Sequence, residues 1–254
     1  MGQAQPALTV KEPVPVAVLM QLPQFAEHIA QDNQDENNCQ WLQTGDVLLI
    51  QGKGWRARLI QWFTRCAYSH VGLVYRQPIT HKLYLLESVG QADSLRCALS
   101  NTTQRSRSGV RLVSLEDRLS RYLVEQNTAW AKIRICVIKS VVVKPATRER
   151  AHMMLDDFVE RVISAGYEDS AVHLLHNSLP ALMSTPDPLD QLREYNCAEL
   201  VACALQQMRI YNADLNASHA LVPRNFLDGT LHDPRYQMDG YLEDPSLAMH
   251  LEIM

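Results

Sequence analysis

The sequence predicts an α+β domain, with an antiparallel sheet packed against helices and a cysteine at a helix N-terminus. Three observations predict it. Runs rich in Val, Leu, Ile and Tyr follow one another at 45–51, 67–75 and 82–89. Apolar residues recur at i, i+3, i+4 over 147–165 and again over 195–208. Cys197 opens the second of these helices. With 254 residues and 46% hydrophobic content, the chain can bury a sizeable core. The net charge of -4 gives no reason to expect nucleic acid as a partner. No apolar run reaches the length of a membrane span, so no integral membrane segment is expected.

Residues 1–40 read as an N-terminal extension, partly disordered or forming a short helix over 22–31. The apolar stretch 13–22 makes a poor signal peptide, because it is broken by prolines and follows Glu12 without a basic leading region. Pro6 breaks the myristoylation pattern that Gly2 would begin. The six cysteines are scattered with no CxxC pair. Free thiols in a cytoplasmic, reducing setting are therefore expected.

Order is expected to begin at the Gly45-Asp46 turn, with a strand after it. Asp46 reads as a turn cap. Trp55, Leu59, Trp62 and Phe63 recur at helical spacing, predicting a short amphipathic helix. Strands follow at 67–75 and 82–89, then a polar, basic loop over 98–109. A strand at 110–115 leads to a helix at 116–126, and the β-branched run 132–143 is the strongest strand signal. A helical piece over 171–179 and a Pro-rich loop precede the Cys197 helix. The tail from 230 is expected to wrap the surface.

Three places carry chemistry. Asn196 is a favourable N-cap for the helix that Cys197 begins, and Glu199 falls at the capping-box position. Leu200, Val201, Ala204, Leu205 and Met208 continue the face to which Cys197 belongs, and Cys203 reads as core. Helix-start N–H groups and the helix dipole favour a thiolate there and offer donors to an oxyanion. In the strand 67–75, both alternating faces are largely apolar, so it reads as central, with His70 buried or at a cleft floor. Gly72 shares the His70 face and leaves room for a neighbouring group. In 82–89, Glu87 closes an apolar face and needs a partner if buried. If the two strands are neighbours, Glu87 reaches His70. A carboxylate holding an imidazole that faces a helix-start thiol is an arrangement for nucleophilic catalysis. His173 and His176 lie one helical turn apart, but no further ligand completes a metal set, so no metal or other cofactor is expected.

"GDVLLI", "SHVGLV", "LLES" and "NCAELV" together resemble the motifs of NlpC-like papain-fold cysteine peptidases. Because the cysteine comes last here, the order is similar to the circularly permuted branch, and most of all to its YiiX/YebB-like family; lecithin retinol acyltransferase-like proteins are more distant members. The resemblance covers roughly 41–90 and 193–229, including "VPRNFLDG", and only element order between them. It implies a permuted papain-like catalytic domain over 41–229, flanked by the extension 1–40 and a tail 230–254 packing on it. It also implies Cys197 as nucleophile, His70 as base and Glu87 as the residue orienting it. Ala198 stands where the family has Ser. Tyr195 either lines the cleft or packs at the start of the helix, and Ser69 is a second candidate substrate contact.

The implied activity is hydrolysis of a peptide, isopeptide or related acyl bond through a thioester. A lipid acyltransferase or phospholipase and a non-catalytic binding module on the same fold are the rivals. The expected partner is thus a small-molecule, peptide or lipid acyl substrate.

Overall fold

Runs of aliphatic and β-branched residues supply seven strands of one sheet in the computed structural model, which describes residues 17–20, 41–90, 93–99, 108–125, 133–142, 145–163, 195–211, 221–228, 231 and 237–253. The strands are β1 (Ala17–Met20), β2 (Val47–Ile50), β3 (His70–Arg76), β4 (Leu83–Val89), β5 (Gly109–Ser114), β6 (Ile133–Ile138) and β9 (Met249–Ile253). Their spatial order is β1-β9-β6-β2-β3-β4-β5. Every neighbouring pair is antiparallel except β1 with β9, which is parallel. A small separate sheet pairs β7 (Ser140–Val142) with β8 (Gly240–Leu242). The helices are α1 (Trp55–Thr64), α2 (Leu115–Glu125), α3 (Pro145–Val162) and α4 (Cys197–Gln207).

Two apolar layers sandwich the sheet. Val47, Leu49, Val71, Leu73, Leu86 and Ile138 pack with the core faces of α3 and α4. The alternate residues Leu48, Ile50, Val74, Leu85, Val113 and Ile135 pack with Leu115 and Leu119 of α2. A strand covered on both sides reads as a continuous apolar run, which is why β2 carries no polar residue. β3 is central, as its two apolar faces predict. α4 is buried along Ala198–Leu205, in keeping with a helix apolar nearly all round.

Three elements differ from the sequence reading, and a fourth adds what spacing leaves open. The 132–143 run is broken at Lys139, where the chain turns to serve Asp46. The Lys139 ammonium pairs with the Asp46 carboxylate, and the Ser140 N–H donates to Asp46 Oδ1 at 2.9 Å. Asp46 also accepts from the Gln43 N–H at 2.8 Å, so it does cap the turn. The tail does not simply wrap the surface: it supplies β9, which lies between β1 and β6 and buries Leu251 and Ile253. Residues 17–20, inside the extension, form the edge strand β1 on β9. In α1 the helix is as expected, but its apolar stripe points outward: Trp55 is 67% exposed and Trp62 72%. The helical readings over 22–31 and 171–179, with His173 and His176, lie outside the described residues. Among the described residues no helix is long and apolar enough to cross a membrane.

Gly72 leaves room for a neighbour, and the neighbour is Leu85. A methyl at position 72 would meet Leu85 Cδ1 at 2.7 Å and Cγ at 2.8 Å. Leu85 is fully buried and has nowhere to move. Gly72→Ala is therefore expected to cost about 1–3 kcal/mol of stability through overpacking. A denaturant titration checks this; an unchanged midpoint would show that the sheet relaxes freely at this point.

Candidate active site

The pairing of β3 with β4 runs from Arg76–Leu83 to Leu73–Leu86 and stops there, although both strands continue. Carried further, the register would set Val71 against Ser88. Instead each of these residues bonds the start of α4. The Val71 N–H is directed at the Cys197 sulfur. The Ser88 hydroxyl donates to the Tyr195 carbonyl at 2.6 Å. The parting of two strands is thus the seat into which the N-terminus of α4 fits.

Asn196 caps α4 as the sequence predicts, its Oδ1 accepting from the Glu199 N–H at 2.9 Å. Cys197 is then the first helical residue, half-buried, with the Ala198 N–H also directed at its sulfur. His70 begins β3 beside it. Its Nε2 lies 2.9 Å from Glu87 Oε2, which leaves Nδ1 for the Cys197 thiol, and the two groups are within hydrogen-bonding reach. The imidazole is 14% exposed and Glu87 not at all. His70, Glu87 and Cys197 are therefore brought together from three different elements.

The electrostatics favour charge on both partners. Burial works against ionising the thiol, but His70 and the two N–H groups outweigh it and hold the Cys197 pKa below the ordinary thiol range. Burial likewise opposes the imidazolium. Hydrogen bonds to Cys197 and Glu87 win, and the His70 pKa is pushed up to about 9. Glu87 is held far below the usual carboxylate range: burial would raise it, and Arg118, His70 and Arg111 overcome that. It stays a carboxylate and does not take the histidine proton.

Behind Glu87 stands a charge cluster that the sequence reading did not anticipate. Arg111 donates to Glu87 Oε1 through Nε at 2.9 Å and a terminal nitrogen at 2.8 Å. Arg118 Nε donates to Glu87 Oε2 at 3.0 Å. Both guanidinium groups also bond Asp93, at 2.6 and 3.0 Å. The Arg118 guanidinium lies 4.2 Å from the centre of the Tyr122 ring. Two carboxylates against two guanidinium groups close the cluster in charge. Glu87 is fixed from behind, and the face it turns to His70 is rigid. Arg111 sits opposite Glu87 in the β4–β5 register, and Arg118 lies on the buried side of α2 with Leu115 and Leu119. A guanidinium among apolar neighbours in both elements was the available signal.

The two candidate substrate contacts have other occupations. The Ser69 hydroxyl accepts from the Gly52 N–H at 3.0 Å and is buried. Tyr195 packs in the core at the start of α4. Cys203 is core, as read.

No protein-family model matches the sequence. No curated protein matches it either. Among solved structures, the chain is similar to the crystal structure of metalloprotein yiiX from Escherichia coli O157:H7, at 15% identity and a TM-score of 0.41, over 82% of this chain and 95% of that one.

A second cysteine–histidine contact shows what sets Cys197 apart. Cys136 Sγ lies 3.9 Å from His250 Nε2, while His250 Nδ1 lies 2.9 Å from the Tyr68 hydroxyl. Here Cys136 is fully buried, and burial with the nearby Cys66 pushes its pKa up to about 12. Burial also pushes His250 down. Among the described residues no carboxylate backs this imidazole and no helix start faces this thiol, so the pair rests neutral. Glu87 and the α4 terminus make the difference at Cys197.

Proposed function

We propose that this protein is a thiol hydrolase that cleaves an amide bond, in a peptide, an isopeptide or a related acyl compound, through a thioester on Cys197. The observation that carries the reading is His70 placed between Glu87 and Cys197, with Nε2 held at 2.9 Å from the carboxylate and the opposite ring nitrogen left for the thiol. In this mechanism the Cys197 thiolate attacks the carbonyl carbon, forming the C–S bond. Charge moves to the carbonyl oxygen, and the positive end of the α4 dipole stabilises it. The tetrahedral intermediate collapses, the C–N bond breaks, and imidazolium Nδ1–H gives its proton to the leaving amine. A water then attacks the thioester while Nδ1 takes its proton. The C–S bond breaks, the acid leaves, and the thiolate–imidazolium pair is restored. Glu87 keeps its negative charge throughout, orienting the ring and favouring its protonated form. No other group need change its charge during the cycle.

Trapping the acyl-enzyme tests this. With p-nitrophenyl acetate, intact and peptide mass spectra are expected to show one acetyl group on the peptide carrying Cys197, with a burst of nitrophenol. Cys197→Ala should show neither. Acetylation spread over several thiols, or the same burst from Cys197→Ala, would remove the basis for the proposal.

A further inference from the structure

We propose that α1 docks this protein on an anionic lipid surface. The helix is amphipathic in reverse. Thr64 is its buried residue, and Ala57, Ile60 and Gln61 are half-buried beside it. Gln61 is tied inward by a bond from its side chain to the Gly52 carbonyl at 2.9 Å. Apart from Ile60, small and polar groups therefore face the domain. Trp55, Leu59, Trp62 and Phe63 fall on one outward arc and are 67%, 46%, 72% and 42% exposed. Trp62 and Phe63 pack edge to face at 4.8 Å, so the outward face is a joined aromatic surface. Nothing in the inward face requires this arrangement. Folding would be served by polar residues in place of Trp55 and Trp62, which keep most of their surface in solvent.

Charge says what the face meets. Lys53, Arg56, Arg58 and Arg65 lie within residues 51–66, a segment without a single Asp or Glu, in a chain whose net charge is -4. Arg56 and Arg58 flank the aromatic arc on its two sides, and both are exposed. Tryptophan, leucine and phenylalanine bordered by arginine are what an interfacial helix presents to the headgroup and acyl boundary of an anionic bilayer. At about 1.5 Å per residue the helix is roughly 15 Å long, half a bilayer core, so it lies on the surface and does not cross. A second copy of the chain fits less well. A two-fold contact through this face would set arginine against arginine. A convex helix also offers no groove to a peptide. Docking keeps His70 near the surface, since the Gly52 N–H that precedes α1 bonds Ser69, the neighbour of His70.

The test is co-sedimentation of the full chain with vesicles of phosphatidylcholine alone or with about 30 mol% phosphatidylserine, followed also by tryptophan emission. Binding is expected only to the anionic vesicles, with a blue shift. It should weaken about tenfold or more between roughly 0.05 and 0.5 M salt. Trp55→Ala/Trp62→Ala and Arg56→Glu/Arg58→Glu are each expected to lower the partition coefficient at least about tenfold, while thermal melts stay unchanged because these side chains are exposed. Docking asks nothing of the Cys197 thiol, so Cys197→Ala should bind as the wild type does, whatever its activity. Failure to bind anionic vesicles would overturn the proposal. So would equal binding to neutral ones, or a dimer in solution that Trp62→Ala dissociates.

Discussion

Replacing His70 with alanine is expected to erase the preference of iodoacetamide for Cys197 at about pH 6. In the wild type, that thiol should react well ahead of the other five, because its pKa is held down chiefly by His70. A thiol returned to an ordinary pKa of about 8.5 is roughly one part in 300 ionised at that pH. Its thiolate is intrinsically more nucleophilic, since reactivity rises with basicity, and this offsets part of the loss. Alkylation should still fall clearly, and hydrolysis should fall further, by about a hundredfold or more, because the general acid and base is gone as well. Equal labelling of all six thiols in the wild type would sink the hydrolase reading.

The same pair makes an unusual prediction for stability against pH. His70 has a folded value of about 9 above an ordinary 6.5, so its contribution is complete below 6.5 and lost as pH rises to about 9. Cys197 has a folded value below its ordinary 9.0, so its contribution is complete above 9.0 and lost as pH falls. Between 6.5 and 9.0 the histidine's loss and the cysteine's gain run against each other, so the pair leaves stability less dependent on pH than either group alone would. In Cys197→Ala the thiol that does most to raise His70 is gone too, so the histidine contribution should shrink along with that of the cysteine, and pH titration of the unfolding free energy should show no steep decline between 6.5 and 9.

These effects were partly legible in the sequence, for physical reasons. The capping residue Asn196 and the apolar face of α4 are local, so the position of Cys197 at a helix start could be read from adjacent residues. Alternation in β3 and β4 placed His70 and Glu87 on definite faces. What escaped was set by non-local packing. Arg111 and Arg118 acquire their role only when β5 lies against β4 and α2 covers that face; neither fact is written in the residues around them. Asp93 lies in a loop and is fixed by those two arginines. In α1 the period was legible and the direction was not, because spacing shows that a helix has an apolar face and not which way it points. β9 escaped because His250 and Glu252 alternate with Leu251 and Ile253, which reads as a surface strand. Pairing on both edges gives it an inner place in the sheet.

Arg118→Met is expected to lower the unfolding free energy by about 3–5 kcal/mol, because it strands buried charge. Glu87 is completely buried and accepts from Arg111, Arg118 and His70; Asp93 accepts from both arginines. With Arg118 gone, two carboxylates share one guanidinium, and one of them, Glu87, lies where water does not reach. At about 2–4 °C per kcal/mol for a chain of this size, the melting temperature should drop by roughly ten degrees. Glu87→Gln errs in the opposite sense, leaving two guanidinium groups to one carboxylate, and should cost a similar amount. Combining the two changes restores the balance, with Asp93 facing Arg111. The double variant is therefore expected to lose about 1–3 kcal/mol less than the two single losses added together. Losses that simply add would mean the four side chains do not act as one unit. Acid gives an independent check. Glu87 is held below its ordinary 4.5, so its stabilisation is whole above that value and is lost only as pH falls beneath it. Glu87→Gln should lack that part of the acid limb while keeping the part that belongs to Asp93, whose pKa is also lowered by Arg111 and Arg118 against the pull of burial.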